Sequence, residues 1–170
     1  MANPTMTLIG SPITVGSGGV SSVTFTSIPS TYTDLLVKVS ARDLYPDVTP
    51  DILVTFNGSG SGYSNIWLQG NGSSASSSSY SGAFIDILSD GSTATTNTFS
   101  NIEMYIPNYA VSHYKAISVD NVLENNATAS YMRLLAGLWS NTAAITSISF
   151  AAATSFVQYS TFYLYGINNS

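Results

Sequence analysis

His113 is the sole histidine of the chain, so a serine–histidine–aspartate relay would have to use it as the base. It stands in NYAVSHYK, just past Pro107, where turn residues place it on a loop. No HExxH, GxSxG, Walker or GxGxxG pattern accompanies it, and the GSGSG run starting at Gly58 lacks the helix and lysine of a phosphate loop. Paired carboxylates placed across a sugar ring cleave glycosides. Here Asp34, Asp86, Glu103, Asp120 and Glu124 are spread over separate strands and turns. Asp43, Asp47 and Asp51 in RDLYPDVTPD offer oxygens to a hard cation, but without EF-hand spacing they read as a solvated, proline-marked loop. The residues therefore predict a protein that is not an enzyme, with no catalytic, metal or cofactor site. Recognition is the chemistry left. Trp67, Trp139 and the eleven tyrosines provide rings for stacking on sugars or, more naturally in a chain so poor in charge, for protein interfaces.

Composition narrows the partners. Only 8% of the 170 residues are charged, against about 25% in an ordinary soluble domain. The cations are Lys38, Arg42, Lys115 and Arg133, and the net charge is −5, so neither a nucleic-acid footprint nor a basic membrane-binding face is present. No apolar run reaches the roughly 20 residues of a membrane-spanning helix, and MANPTMTLIGSPITV has no secretory pattern. Asn57-Gly58-Ser59, Asn71-Gly72-Ser73 and Asn126-Ala127-Thr128 read as asparagine turns rather than glycosylation sites. Cysteine is absent, so packing and association must hold the fold.

The elements that would carry these residues are short, two-faced strands. In SVTFTSIPSTYTDLLVKVSAR, Val23 and Phe25 alternate with hydroxyl residues, and Leu35, Val37, Val39 and Ala41 form a second apolar face. Pro29 must interrupt any ladder between them. Ile52, Val54 and Phe56 repeat the pattern up to the Asn57-Gly58 turn, as do Ile102, Met104 and Ile106, then Ile117 and Val119, then Phe162 and Leu164. In ASYMRLLAGLWS, Met132, Leu134, Ala136 and Leu138 fit one strand face; LLAGL can also be read as a short helix, but Gly137 and the aromatic ends Tyr131 and Trp139 favour the strand. Gly58 to Ser81 is Gly/Ser-rich and reads as a surface loop around a short strand at Asn65 to Gln69, and Ala151 to Ser155 as another loop. Met1 to Gly19 reads as an arm or edge strand reaching a neighbour, and residues 20–170 as one domain. The expectation is an all-β, jelly-roll-like antiparallel β-sandwich of about nine strands.

Taken as ordered blocks, SVTFTSIPSTYTDLLVKVSAR, VTFNG, YSNIWLQGNGSSASS, NTFSNIEMYIPNY, KAISVDNVLENNATASYMRLLAGLWSNTAAITSISF and FVQYSTFYLYGI resemble a family of small structural proteins in the virions of tailed bacteriophages, notably phages of cyanobacteria. The resemblance implies a sandwich carried on the particle as a capsid decoration (cement) protein or as part of the tail or its fibres, and a homotrimer. Its partners would be further copies of itself and the major capsid protein or other virion proteins. Leu8, Ile9, Ile13, Tyr45, Tyr63 and Trp67 are the candidate interface residues. The alternative is a tail-fibre or receptor-binding module that recognises a host surface glycan through Trp67, Tyr63 and the serine-rich loop.

Overall fold

A computed structural model of the chain describes residues 5–126 and 129–168. Ala127 and Thr128 of the third asparagine turn, and the first four residues of the expected arm, lie outside the described residues. The described chain is an antiparallel β-sandwich without helices. It holds thirteen strands where the alternation alone suggests about nine.

The narrow sheet has the order β3 (Val20–Phe25), β12 (Ile148–Phe156), β5 (Asp51–Phe56) and β8 (Ile85–Leu88). The wide one runs β1 (Met6–Leu8), β13 (Thr161–Ile167), β4 (Asp34–Ala41), β9 (Ser100–Ile106), β10 (Lys115–Leu123), β11 (Tyr131–Trp139), β6 (Tyr63–Gly70) and β7 (Ala75–Gly82). A two-residue strand, β2 (Ile13–Thr14), also pairs with β13.

Pro29 marks the place where the chain changes sheets, since β3 belongs to the narrow sheet and β4 to the wide one. Ile28 is buried at this corner, and the Tyr109 hydroxyl donates to the Pro29 carbonyl. At the end of β5, Asn57 and Gly58 both have positive φ, 53° and 67°, and the Ser59 amide donates to the Phe56 carbonyl, which gives the tight turn that the dipeptide predicts. The segment read as an arm or edge strand is, from residue 5 on, laid along its own body: β1 pairs with β13 at the edge of the wide sheet, and Val15 is buried.

The inward faces of β3, β4, β5, β9, β10 and β13 are those read from the alternation, with Val23, Val37, Val54, Met104, Val119 and Leu164 all buried. One aromatic run joins Phe25, Phe150, Phe162 and Phe156, and another joins Phe56, Tyr63 and Trp139. On β11, Met132, Leu134 and Ala136 share one strand face as the alternation reads, and that face is the outer one. Arg133, Leu135, Gly137 and Trp139 point inward, whereas Met132, Leu134 and Ala136 are exposed. Both sets are apolar enough to satisfy a period of two, so the choice falls to shape. Trp139 stacks on Tyr63 at 6.1 Å, and at Gly137 an added Cβ would stand 2.8 Å from Ile85 Cδ1.

Polar side chains finish what the ladders leave open. Asn121, fully buried on β10, accepts from the Leu88 amide at 2.7 Å and donates to its carbonyl at 3.1 Å, so a side-chain amide occupies the open edge of β8. Asn65 donates to the Phe84 carbonyl just before the same strand. The Asp43 carboxylate, also fully buried, accepts from the amides of Ala153, Thr154 and Ser155. Those residues belong to β12 instead of the expected loop, because the carboxylate satisfies the amides freed by the register shift between Ala151 and Phe156. Arg42 clamps the 92–98 turn through the carbonyls of Ala94, Thr95 and Thr98. Lys115 Nζ donates to the carbonyls of Val111, His113 and Thr142.

Replacing Asn121 by leucine leaves both backbone groups of Leu88 buried without partners. Urea unfolding should show a loss of about 2–4 kcal/mol with an unchanged slope, more than a surface Asn→Leu replacement produces.

Candidate docking surface

The sheets differ in width, nine strands against four, and this mismatch decides which surfaces are left over. The last strand of the narrow sheet, β8, reaches β10 and β6. Beyond it, β7 is exposed over Ala75–Ser81. The serine-rich segment is thus an eight-residue strand in unbroken register with β6, from Tyr63↔Gly82 to Gly70↔Ala75, and no longer the expected loop. The turn between them is held by Asn71, whose Oδ1 accepts from the amides of Ser73 and Ser74. The Asn-Gly pair was a hairpin signal, but serines bury nothing and show no alternation to mark the second strand.

The outer face of the wide sheet holds a contiguous exposed apolar group. Cross-strand register sets Leu134 opposite Leu68 and Ala136 opposite Ile66. Ile66, Leu68, Met132 and Leu134 are 64%, 55%, 71% and 62% exposed. Together they present roughly 400 Å² of apolar side chain, the scale of the largest and often functional patch of a monomer. The twist of the sheet makes this region a shallow groove of about 490 Å³, with Leu134, Ala136, Ile66 and Leu68 on one side and Glu103 and Tyr105 on the other. Ser77 of β7 and, between the two sides, Ser118 and Asp120 of β10 complete the lining. Glu103 is matched by Lys38 at 2.7 Å, and this hydrogen bond raises the pKa of the half-exposed lysine. Asp120, opposite Glu103 in register, adds a second acid to this edge of the groove.

On the inner face of the same strands, Arg133 is buried with its guanidinium 4.5 Å from the centre of the Trp67 ring, and its Nε donates to Gln69 Oε1 at 3.0 Å. Its nearest carboxylate is Asp86, at 3.9 Å. Removal from water pushes the Asp86 carboxyl up to about 7, the neighbouring Asp51 charge adds to the effect, and Arg133 opposes it. Asp86 Oδ1 and Arg133 Nη1 are both buried without a hydrogen-bond partner, so this cross-sheet contact is an incompletely matched pair.

The candidate interface residues do not converge. Leu8, Ile9 and Ile13 lie near the β1 edge of the wide sheet, at the opposite end of the strand order from Trp67. Leu8 is exposed, but Ile9 and Ile13 are half-buried against the core. Tyr45 is exposed in the loop before β5. Tyr63 is only 3% exposed, its hydroxyl bonded to the backbone of Phe56 and Ser59, so it serves the core instead of a contact surface. Tyr63 and Trp67 thus form no common stacking platform for a sugar. His113 is exposed, and its Nδ1 meets the Tyr114 carbonyl at 2.7 Å. Of the three aspartates weighed as a cation wrap, Asp43 turns into the β12 bulge while Asp51 faces Asp86. Among the described residues no group of three or more His, Cys, Asp or Glu is placed to hold a metal ion. No protein-family model, curated protein or solved structure matches the chain.

The Asp86 environment makes stability depend on pH. In the unfolded chain this carboxyl ionises near its ordinary value, while in the fold it keeps its proton until about pH 7, so stability is lost as pH rises between the two values. Thermal melts should therefore shift downward by several degrees between about pH 5 and about pH 8. Asp51→Asn, which removes the adjacent charge, should flatten that slope.

Proposed function

We propose that the protein is a non-enzymatic structural component of a bacteriophage particle, a decoration or cement subunit that docks on the shell through the outer face of its wide sheet. The observation that carries this reading is the exposed block of Ile66, Leu68, Met132 and Leu134 on the outer face of the wide sheet. The resemblance of the sequence to virion proteins of tailed phages supplies the particle, and the block supplies the means of attachment. A surface of this kind binds by removing apolar area from water while meeting its partner with little charge to desolvate. The acids Glu103 and Asp120 beside the apolar floor favour a shell loop that brings aliphatic side chains together with a lysine or arginine.

Cementing requires no chemistry from the subunit. A protein that bridges neighbouring shell subunits adds its binding free energy to the lattice, and repetition over the shell makes modest contacts cumulative.

Leu134→Asp and Ile66→Asp should each lower occupancy on purified shells by at least about tenfold, while the melting temperature stays close to that of the parent, because both side chains are already in solvent. Reconstruction of the particle should place density for this chain on the lateral shell. Density confined to the tail tip, or occupancy indifferent to both substitutions, would refute the cement role.

A further inference from the structure

The two ends of the wide sheet are treated differently. At one end β1 is three residues long. At the other, β7 runs for eight residues, pairs only with β6 among the described residues, and shows no register shift along its length. Long, flat edges of this kind are normally blunted by a charge, a proline, a bulge or a covering group, since their free amides and carbonyls form a template for another strand. The chain uses such devices elsewhere: Asn121 covers the edge of β8, and β12 bulges around Asp43. Ser74 to Ala83 contains no charged residue and no proline.

We infer that β7 is a self-pairing edge: two copies of the chain join by antiparallel β7–β7 pairing about a two-fold axis, merging their wide sheets into one. The occupant is a second copy because the strand is self-complementary. Uncharged serines meet uncharged serines, no like-charge contact arises at any register, and the small side chains leave both backbones free to approach to ladder distance. An isologous contact of this type closes on itself, so growth stops at two copies. The pairing makes a dimer in place of the trimer that the resemblance implies. Antiparallel neighbours related by a two-fold have their axis perpendicular to the sheet, which puts both outer apolar faces on the same side of the pair. The inference stands apart from the docking role, since the edge would pair whether or not the outer face binds a shell.

Light scattering should give twice the 17.9 kDa chain mass at micromolar concentration and above. Ser78→Lys sets two like charges beside the axis and should weaken the dimer at least about tenfold. Ser78→Pro should weaken it as well, with the melting temperature reporting whether the β6–β7 hairpin survives. Because the chain has no cysteine, single cysteines at Ser76, Ser77, Ser78 and Ser79 give a reading that does not depend on destabilising the fold. Mild oxidation should cross-link one position, or two adjacent ones, far faster than the others, since only residues near the axis bring their Cα atoms within disulfide reach of their own copies. A monomer up to high concentration, a trimer, a dimer insensitive to Ser78→Lys, or cross-linking with no positional peak would overturn the inference. Loss of shell binding by Leu134→Asp with an intact dimer would bear on the docking role alone.

Discussion

A sandwich held by neither disulfides nor charge networks depends on covering its apolar inner faces, and here the cover is narrower than the wall it must cover. Nine strands face four. Wherever the narrow sheet stops, the chain must satisfy backbone groups that would otherwise meet another strand, or leave them to solvent. Asn121 and Asn65 do the former at β8 with buried amides. Leaving a buried amide or carbonyl unpaired costs more than a typical hydrogen bond contributes, which explains why fully buried asparagines occur in a core built mainly of aliphatic and aromatic side chains. Past that point the wide sheet continues as β7, which lies exposed over Ala75–Ser81.

The same mismatch explains what was readable in the sequence. Where both sheets overlap, one face of each strand is dry and the other wet, so β4, β9, β10 and β13 show their inward residues directly as alternation. On β11 the wet face is as apolar as the dry one, and the pattern could not decide between Met132-Leu134-Ala136 and Leu135-Gly137-Trp139. What decided it, the fit of Trp139 against Tyr63 and of Ile85 against Gly137, is a long-range property that no local window contains. β7 was hidden for the opposite reason: it buries almost nothing, and what holds it in place is its backbone ladder to β6. Of the two strands that form the candidate surface, β6 was legible as the short strand at Asn65 to Gln69, while the outer face of β11 was not. Tyr63 and Trp67 show a further limit, because ring type marks a residue suited to interfaces without telling whether the core has already claimed it.

Placing recognition on the outer face of the wide sheet separates two tasks. The inner face can be packed to full density, while the outer face is free to present Ile66, Leu68 and Leu134. The cost is borne locally, in the incompletely matched Asp86–Arg133 pair between β8 and β11.

The basic side chains carry one more implication. All four are held by structure: Lys38 by Glu103, Arg42 by the carbonyls of the 92–98 turn, Lys115 by those around Val111 and Thr142, and Arg133 by Gln69 and the Trp67 ring. Proteases of trypsin-like specificity must draw a lysine or arginine and several flanking residues out into an extended, accessible segment. The folded chain offers none in its described loops, so digestion by such enzymes has to wait for unfolding, and survival among them becomes a matter of how slowly the sandwich opens.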